Sequence, residues 1–278
     1  MKQSKKNYTD NVLFIMVNYN GASDTIKCVE SILSQQTSLF KSKIIIVDNA
    51  SETEDIEAIK DFCGENEFIE IIESSSNIGY FPAFNIAIDN YYNEILEKST
   101  SVIICNNDLV FDKNFLSLYF AKKYSSDTLV ISPNVITFDG VKQNPHVLKR
   151  FSPLRKLIYK VYFNSYPMSL FIRFVTKMRR SYSKPPIEHD SMFIYQGIGA
   201  CYILPIVFFK KIRRLDDRVF LGGEEALLSD QVLKASGKNF YDKELLVLHA
   251  EGASFKKSTS RWRYEQSKKS YLIWKDII

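Results

Sequence analysis

The chain has only four cysteines, ten glycines, eight prolines and three histidines among 278 residues. Cys28, Cys63, Cys105 and Cys201 form no CxxC pair, which excludes a zinc ribbon or a thioredoxin-like motif. They read as buried free thiols of a reducing cytoplasm. So little glycine and proline excludes collagen-like or linker-dominated sequence. Long apolar runs are also missing. The longest, Val12–Val17 and Cys201–Phe209, fall far short of the roughly 20 residues that span a bilayer. The first ten residues, MKQSKKNYTD, are polar and do not read as a signal peptide. A formal charge of +5 is too mild to imply nucleic acid. What remains is ordinary globular composition, 45% hydrophobic and 25% charged, in a chain long enough for one large domain or two small ones.

One absence is local. Between Lys149 and Lys184 there is no Asp or Glu, while ten residues are Lys or Arg. Aromatics are interleaved, among them Phe151, Tyr159, Phe163, Phe171 and Phe174. The segment reads either as an exposed helical pair or as a basic, aromatic surface lying on anionic lipid. So one-sided a charge favours the lipid reading. A nucleic-acid patch has no supporting fold motif.

The hydrophobic pattern alternates strand and helix. Val12–Val17 is continuously apolar and ends at Asn18-Tyr19-Asn20-Gly21, which reads as a doubly buried strand and a turn. Helical spacing over Ser23–Gln35 predicts a helix, with Ser23 or Asp24 as N-cap. Ile44–Val47, Phe68–Ile72 and Ser101–Cys105 read as further strands, and Glu54–Phe62 and Phe81–Glu97 as helices. Lys113–Lys122 reads as a helix that Asp108 would cap. Repeated strand–helix–strand units predict an α/β protein with a mostly parallel central sheet flanked by helices. Ligands bind such sheets beyond the carboxyl ends of the strands, where Asn20, Asp48 and Asp108 stand here. The pattern fades after Val130, and Asp139–Pro186 gives no clear period.

Six motifs in order resemble an inverting glycosyltransferase of the GT-A fold, family 2, in its bacterial rhamnosyl- and galactofuranosyltransferase-like branch. They are VNYNG (Val17–Gly21), VDNAS (Val47–Ser51), SNIGYFPAFN (Ser76–Asn85), NND (Asn106–Asp108), FLGGEEALL (Phe220–Leu228) and LHAEGAS (Leu248–Ser254). The resemblance runs from about Val12 to Lys275. It implies one glycosyltransferase domain: a nucleotide-sugar half over 11–138, a basic insertion over 139–190, an acceptor half over 191–255 and a C-terminal helix over 256–278.

The resemblance also implies roles. Asn18, Tyr19, Asn20, Asp48, Asn77, Gly79, Asn85, Asn106 and Asn107 would hold a UDP- or dTDP-sugar. Asp108 and His249 would hold a divalent metal, Mg²⁺ or Mn²⁺. Glu225, with Glu224 beside it, would be the base that deprotonates a glycan acceptor, carried on polyprenyl diphosphate. The enzyme would lie on the cytoplasmic face of the plasma membrane and take part in surface polysaccharide assembly. The chain departs from the family pattern at Asn106, where it usually has Asp, and at Leu227, where it usually has an acid.

Taken without the resemblance, several of these residues have plainer readings. Asp48 would cap a turn, Glu224 and Glu225 would complement a helix dipole, and His146, His189 and His249 would be structural. A catalytically inactive nucleotide-sugar-binding subunit is the second functional reading. A nucleotidyltransferase is third, because NYNGASD lacks the glycine-rich basic loop that a triphosphate needs.

Overall fold

The structure, a computed structural model, describes residues 10–35, 40–181, 189–250 and 260–277, with side chains except at 10, 40, 177–181 and 260. Lys184 and the part of LHAEGAS beyond Ala250 lie outside the described residues.

Strand β1 (Asp10–Asn18) is the centre of the first half. It pairs in parallel with β2 (Phe40–Asp48) on one side and β4 (Ser101–Asn106) on the other, and β3 (Ile69–Glu73) pairs in parallel outside β2. Helices α1 (Ala22–Leu33), α2 (Thr53–Cys63) and α3 (Tyr80–Lys98) make the crossovers. The uninterrupted apolar run in β1 follows from burial on both faces. Phe14 and Met16 pack with α1 and α2, and Leu13, Ile15 and Val17 pack with α3.

The second half is mixed. After β5 (Leu109–Phe111) and α4 (Phe115–Ala121) come β6 (Thr128–Thr137) and two helices, α5 (Pro153–Asn164) and α6 (Tyr166–Ser181). Then follow β7 (Met192–Ile194), β8 (Cys201–Pro205), α7 (Ile206–Lys211), α8 (Glu224–Lys234), β9 (Lys238–His249) and α9 (Ser260–Trp274). The sheet order is β3-β2-β1-β4-β8-β6-β9-β5, with β7 added to β9. β8 runs antiparallel to β4 and β6, and only β6 and β9 pair in parallel here. Parallel order therefore holds from β3 to β4 and ends at β8.

A third cluster joins α5 to α9. Phe163 of α5 stacks on Tyr271 of α9 with ring centroids 4.5 Å apart, and Trp274 meets Tyr271 at 5.1 Å. Ala226 and Leu227 of α8 belong to the same cluster. Helices α5 and α9 thus grip the start of α8, where the two glutamates stand. Gly223 caps that helix with φ +101°, and a Cβ there would lie 2.2 Å from Trp274 Nε1. Glycine is what lets the glutamates open a helix directly over that ring.

Two local expectations are corrected. Helix α1 starts at Ala22, with Gly21 rather than Ser23 or Asp24 at its cap and no side-chain capping bond. Asp55 of α2 reaches across instead, and its Oδ2 accepts from Ala22 N at 2.9 Å. Asp108 caps no helix, because β5 intervenes; the cap of α4 is Asn114, without a side-chain capping bond, and Asp112 holds the turn before it, accepting from Asn114 N at 2.8 Å. All four cysteines are buried free thiols.

Candidate active site

Sheet register brings the sequence-predicted exits to one edge. Asn18 pairs with Asp48 across β1 and β2, and Val17 with Asn106 across β1 and β4. Asn18 is fully buried and ties the exits together. Its Nδ2 reaches Asp48 Oδ1 (2.8 Å), Ser51 Oγ (3.0 Å) and Asp55 Oδ1 (2.8 Å), and its Oδ1 accepts from Thr25 (2.8 Å) and Asn107 (3.2 Å). Asn107 also donates to Thr25 Oγ1 at 2.8 Å. Asn20 adopts φ +52°, and its Oδ1 accepts from Glu52 N at 2.8 Å. Asp48 is 3% exposed and accepts from Ser51 N, Ser51 Oγ and Asn18. In this geometry Asn18, Asn20, Asp48 and Asn107 all hold the turns. Tyr19, between them, is exposed.

The third motif is clamped by a residue from the second. Asn49 donates to Asn77 Oδ1 and to the Gly79 carbonyl, both at 3.0 Å, and accepts from Ile78 N at 3.0 Å. Gly79 has φ +97°, and a Cβ there would sit 2.4 Å from the Phe220 carbonyl oxygen. That contact joins the loop entering α3 to the loop before α8. Asn85 points elsewhere. It brackets Leu215 by both backbone groups (2.9 and 3.0 Å) and reaches Asp217 at 3.0 Å. Its amide is bound to that loop, so a donor-binding role is not its arrangement here.

Asp108 and His249 do meet. β5 pairs antiparallel with β9, placing Leu109 opposite His249, and so Asp108 lies beside the imidazole. Asp108 Oδ1 is 3.2 Å from His249 Nε2, and both residues are buried. Gln143 Oε1 lies 2.6 Å from Nδ1. With Gln143 Oε1 as acceptor, Nδ1 carries a hydrogen, and Nε2 is the ring nitrogen turned towards Asp108. Asn106 Nδ2, a donor, stands 3.4 Å from the same nitrogen. Two ligands at right angles on an ion with bonds of about 2.1 Å stand about 3 Å apart, so this pair has the spacing and the donor chemistry for Mg²⁺ or Mn²⁺. No group of three or more His, Cys, Asp or Glu converges among the described residues, so the remaining ligands would be water or substrate oxygens.

Glu224 and Glu225 occupy different surroundings. Glu224 is buried and accepts from Gly222 N at 2.9 Å. Burial, and then the adjacent Glu225 charge, push its carboxyl up to about 8. Glu225 is half-buried, and its Oε1 accepts from Gly199 N at 3.2 Å. His146 lies within electrostatic reach: the surrounding protein lowers its pKa, the Glu225 charge opposes that and Arg155 adds to it. From sequence His146 reads as structural; in the fold it also senses the charge of the candidate base.

The folded chain holds a proton on Glu224 that the unfolded chain releases near the usual carboxylate value of about 4.3. Between roughly pH 4.5 and 8 the folded state therefore binds more protons, and this group makes stability fall as pH rises. Glu224→Gln, a neutral isostere, should flatten that slope. Its melting temperature should exceed the parent's at pH 8 and match it near pH 4. A difference independent of pH would show that burial of this carboxyl is not what sets the slope.

Gln143, Asp55 and Gly199 stand in none of the six motifs, and Asn49 and Tyr80 stand inside VDNAS and SNIGYFPAFN at positions that sequence reading does not single out. The Tyr80 hydroxyl approaches Asn106 Oδ1 at 2.5 Å and the Gly199 carbonyl at 3.1 Å. Burial raises its pKa well above the usual phenol value, so it remains a donor. Gly-Ile-Gly just before β8 is the one available sequence signal for Gly199. An added Cβ there would meet Glu225 Oε1 at 2.9 Å. Together these residues make a continuous line: Glu225 to Gly199, Tyr80, Asn106, His249 and Asp108.

The family described as glycosyl transferase family 2 matches residues 13–195. The chain is 23% identical over 216 residues to the low-salt glycan biosynthesis hexosyltransferase Agl10 of Haloferax volcanii. That match covers 78% of this chain and 59% of the relative, so the chain spans about three fifths of the curated relative's length. Among solved structures, GalNAc-T7 with UDP, GalNAc and Mn²⁺ superposes with TM-score 0.61 at 14% identity, covering 88% of this chain and 44% of that one. Mannosyltransferase PcManGT from Pyrobaculum calidifontis, in complex with GDP-Man and Mn²⁺, gives 0.57 at 13% identity, over 96% and 63%. At such identities the likeness speaks for the GT-A fold.

Proposed function

The chain belongs to glycosyl transferase family 2, and from that premise we propose that it is a metal-dependent, inverting hexosyltransferase. It moves a sugar from a UDP- or dTDP-sugar to a glycan carried on polyprenyl diphosphate, for surface polysaccharide, at the cytoplasmic face of the plasma membrane. The observation that supports this best is the line of contacts from Glu225 to Asp108. It joins a carboxylate able to act as base to a carboxylate–imidazole pair able to hold a cation.

Each residue then has a role. Tyr19 offers an exposed ring to the base of the donor at the β1 exit. Asn18, Asn20, Asp48 and Asn107 hold the loops that shape this side, and Asn77 and Gly79 do so for the loop entering α3. Asp108 and His249 hold the divalent ion, with Gln143 fixing the imidazole tautomer. When bound, that ion supplies electrostatic stabilisation to the departing diphosphate. Glu225 accepts the acceptor hydroxyl's proton as its oxygen bonds to the anomeric carbon, and the bond to the diphosphate breaks on the opposite face. The Gly199 N–H orients that carboxylate, and Tyr80 fixes Asn106 between base and metal pair.

A panel of UDP-, dTDP- and GDP-hexoses, each with Mg²⁺, Mn²⁺ or EDTA, tests the reading. The matching donor at 100 times its Kd stabilises by about 2.7 kcal/mol, a rise in melting temperature of several degrees. That rise should need the cation, and slow hydrolysis of the same donor should accompany it. Binding with no hydrolysis and no transfer would make the chain a nucleotide-sugar-binding subunit.

A further inference from the structure

Two helices of the basic insertion carry apolar side chains outward. On α5, Leu154, Leu157, Ile158 and Val161 are all exposed, at a spacing that places them on one stripe. On α6, Met168, Phe171, Phe174 and Val175 repeat the spacing and are exposed too. Leu154 is 67% exposed, Phe171 63% and Phe174 62%, so these are whole side chains in water rather than grazing contacts. A helix ordinarily turns such a stripe to the core. Here the inward side of α5 is already taken by aromatic rings: Phe163 and Tyr159 pack on Tyr271 and Trp274 of α9. Lys156, Lys160 and Arg173 are exposed along the same hairpin.

Chemistry narrows the occupant. An aliphatic and phenyl surface calls for an apolar partner, and a segment with ten basic and no acidic residues calls for an anionic one. A second copy of this face would bring like charges together, and nucleic acid would leave the stripes in water. An anionic bilayer answers both. At 12 and 16 residues the helices are too short to span it, and no helix among the described residues is long and apolar enough to cross. They suit the plane of the interface.

The hairpin also starts beside the catalytic candidates. Phe151 and Phe163 share a cluster with Ala226 and Leu227, the residues just after Glu225, and Arg155 acts electrostatically on His146, as Glu225 does. We propose that the α5–α6 hairpin is the surface by which this protein lies on an anionic lipid bilayer, stripes in the acyl boundary and basic side chains among the headgroups, with Glu225 close to the membrane surface. It deepens the proposed function, because it supplies the place where a lipid-borne acceptor would be met, but the seating itself needs no turnover.

The test is flotation of the full chain with vesicles of phosphatidylcholine alone or with one third phosphatidylglycerol. The parent should float with the anionic vesicles only, and less so as salt screens the contact. Lys156→Gln with Lys160→Gln should weaken partitioning roughly 25-fold, at about five-fold for each basic residue lost. Phe171→Ser with Phe174→Ser should also weaken it, and because both side chains point into water the fold should be spared, as a matching melting temperature will show. No flotation with anionic vesicles, or equal flotation of the parent and both double variants, overturns the proposal. So does a parent dimer that these variants split in the absence of lipid binding, which would make the face a contact between copies. A chain that floats but neither binds nor hydrolyses a sugar nucleotide refutes only the transferase reading. A chain that transfers sugar but never floats refutes only the seating.

Discussion

Asp108→Ala should remove manganese-dependent binding of the sugar nucleotide, weakening it at least ~10²-fold. Removing the outer-shell partner of a ligand typically costs 10- to 100-fold in metal affinity, and removing the ligand itself costs more. Among the described residues two candidate ligands meet here, Asp108 Oδ1 and His249 Nε2, 3.2 Å apart. With Asp108 gone, a neutral imidazole alone would face the cation. His249→Ala should weaken binding less, because the carboxylate and its charge remain. Gln143→Leu should sit lower still, within the range for an outer-shell partner, since it frees the imidazole to take the other tautomer. The ranking is as informative as the size. Asp108→Asn controls for folding, because it keeps the shape of a buried side chain while removing its charge. Titration calorimetry with the donor in Mn²⁺ and in EDTA reads all four variants. Unchanged affinity for Asp108→Ala in Mn²⁺ would remove this pair as the metal site.

The same pair illustrates what was legible in the sequence. Asp108 and His249 were both identifiable as strand-end residues, and the family resemblance brought them together. Residue spacing alone made Asp108 a helix cap, because a three-residue strand such as β5 leaves almost no periodic signal. The β3-β2-β1-β4 half was readable because doubly buried parallel strands leave unbroken apolar runs between amphipathic helices. The other half was not, since β6 finds β9 across more than a hundred residues and pairing partners leave no mark on local period. Asparagines were the least legible. Asn18, Asn85 and Asn107 look like ligands in a motif, yet each is bound to its own chain. A buried amide must be satisfied, and a loop-rich strand edge offers many backbone and side-chain partners. Gln143 escaped notice for the complementary reason: its importance comes entirely from what it touches, and it stands in no distinctive pattern, while Tyr80 stands inside SNIGYFPAFN at a position the motif does not single out.

Glu225→Gln should spare donor binding and reduce transfer by roughly 10²–10⁴-fold, the range for a positioned acid–base group. An acceptor hydroxyl is a weak nucleophile until its proton is taken during bond formation. Of the two glutamates, only Glu225 is placed for that. It is half-buried at the open end of α8 and held by one oxygen through Gly199 N–H. Glu224 is turned inward onto Gly222 N, and burial with the neighbouring charge keeps it largely protonated at neutral pH. A protonated, buried carboxyl cannot collect the acceptor's proton, so Glu224→Gln should leave turnover within a few-fold of the parent. Glutamine at 225 preserves the contact with Gly199 N–H, because its carbonyl oxygen still accepts, and only the basicity is lost. The measurement is single-turnover transfer beside donor affinity for both variants across pH 6 to 9. A dead Glu224→Gln with a near-normal Glu225→Gln would exchange the roles and would mean that the buried carboxyl ionises once the acceptor is bound. Near-normal transfer by both would sink the carboxylate-base mechanism, leaving His146, the titratable group already within reach of Glu225, as the next base to test.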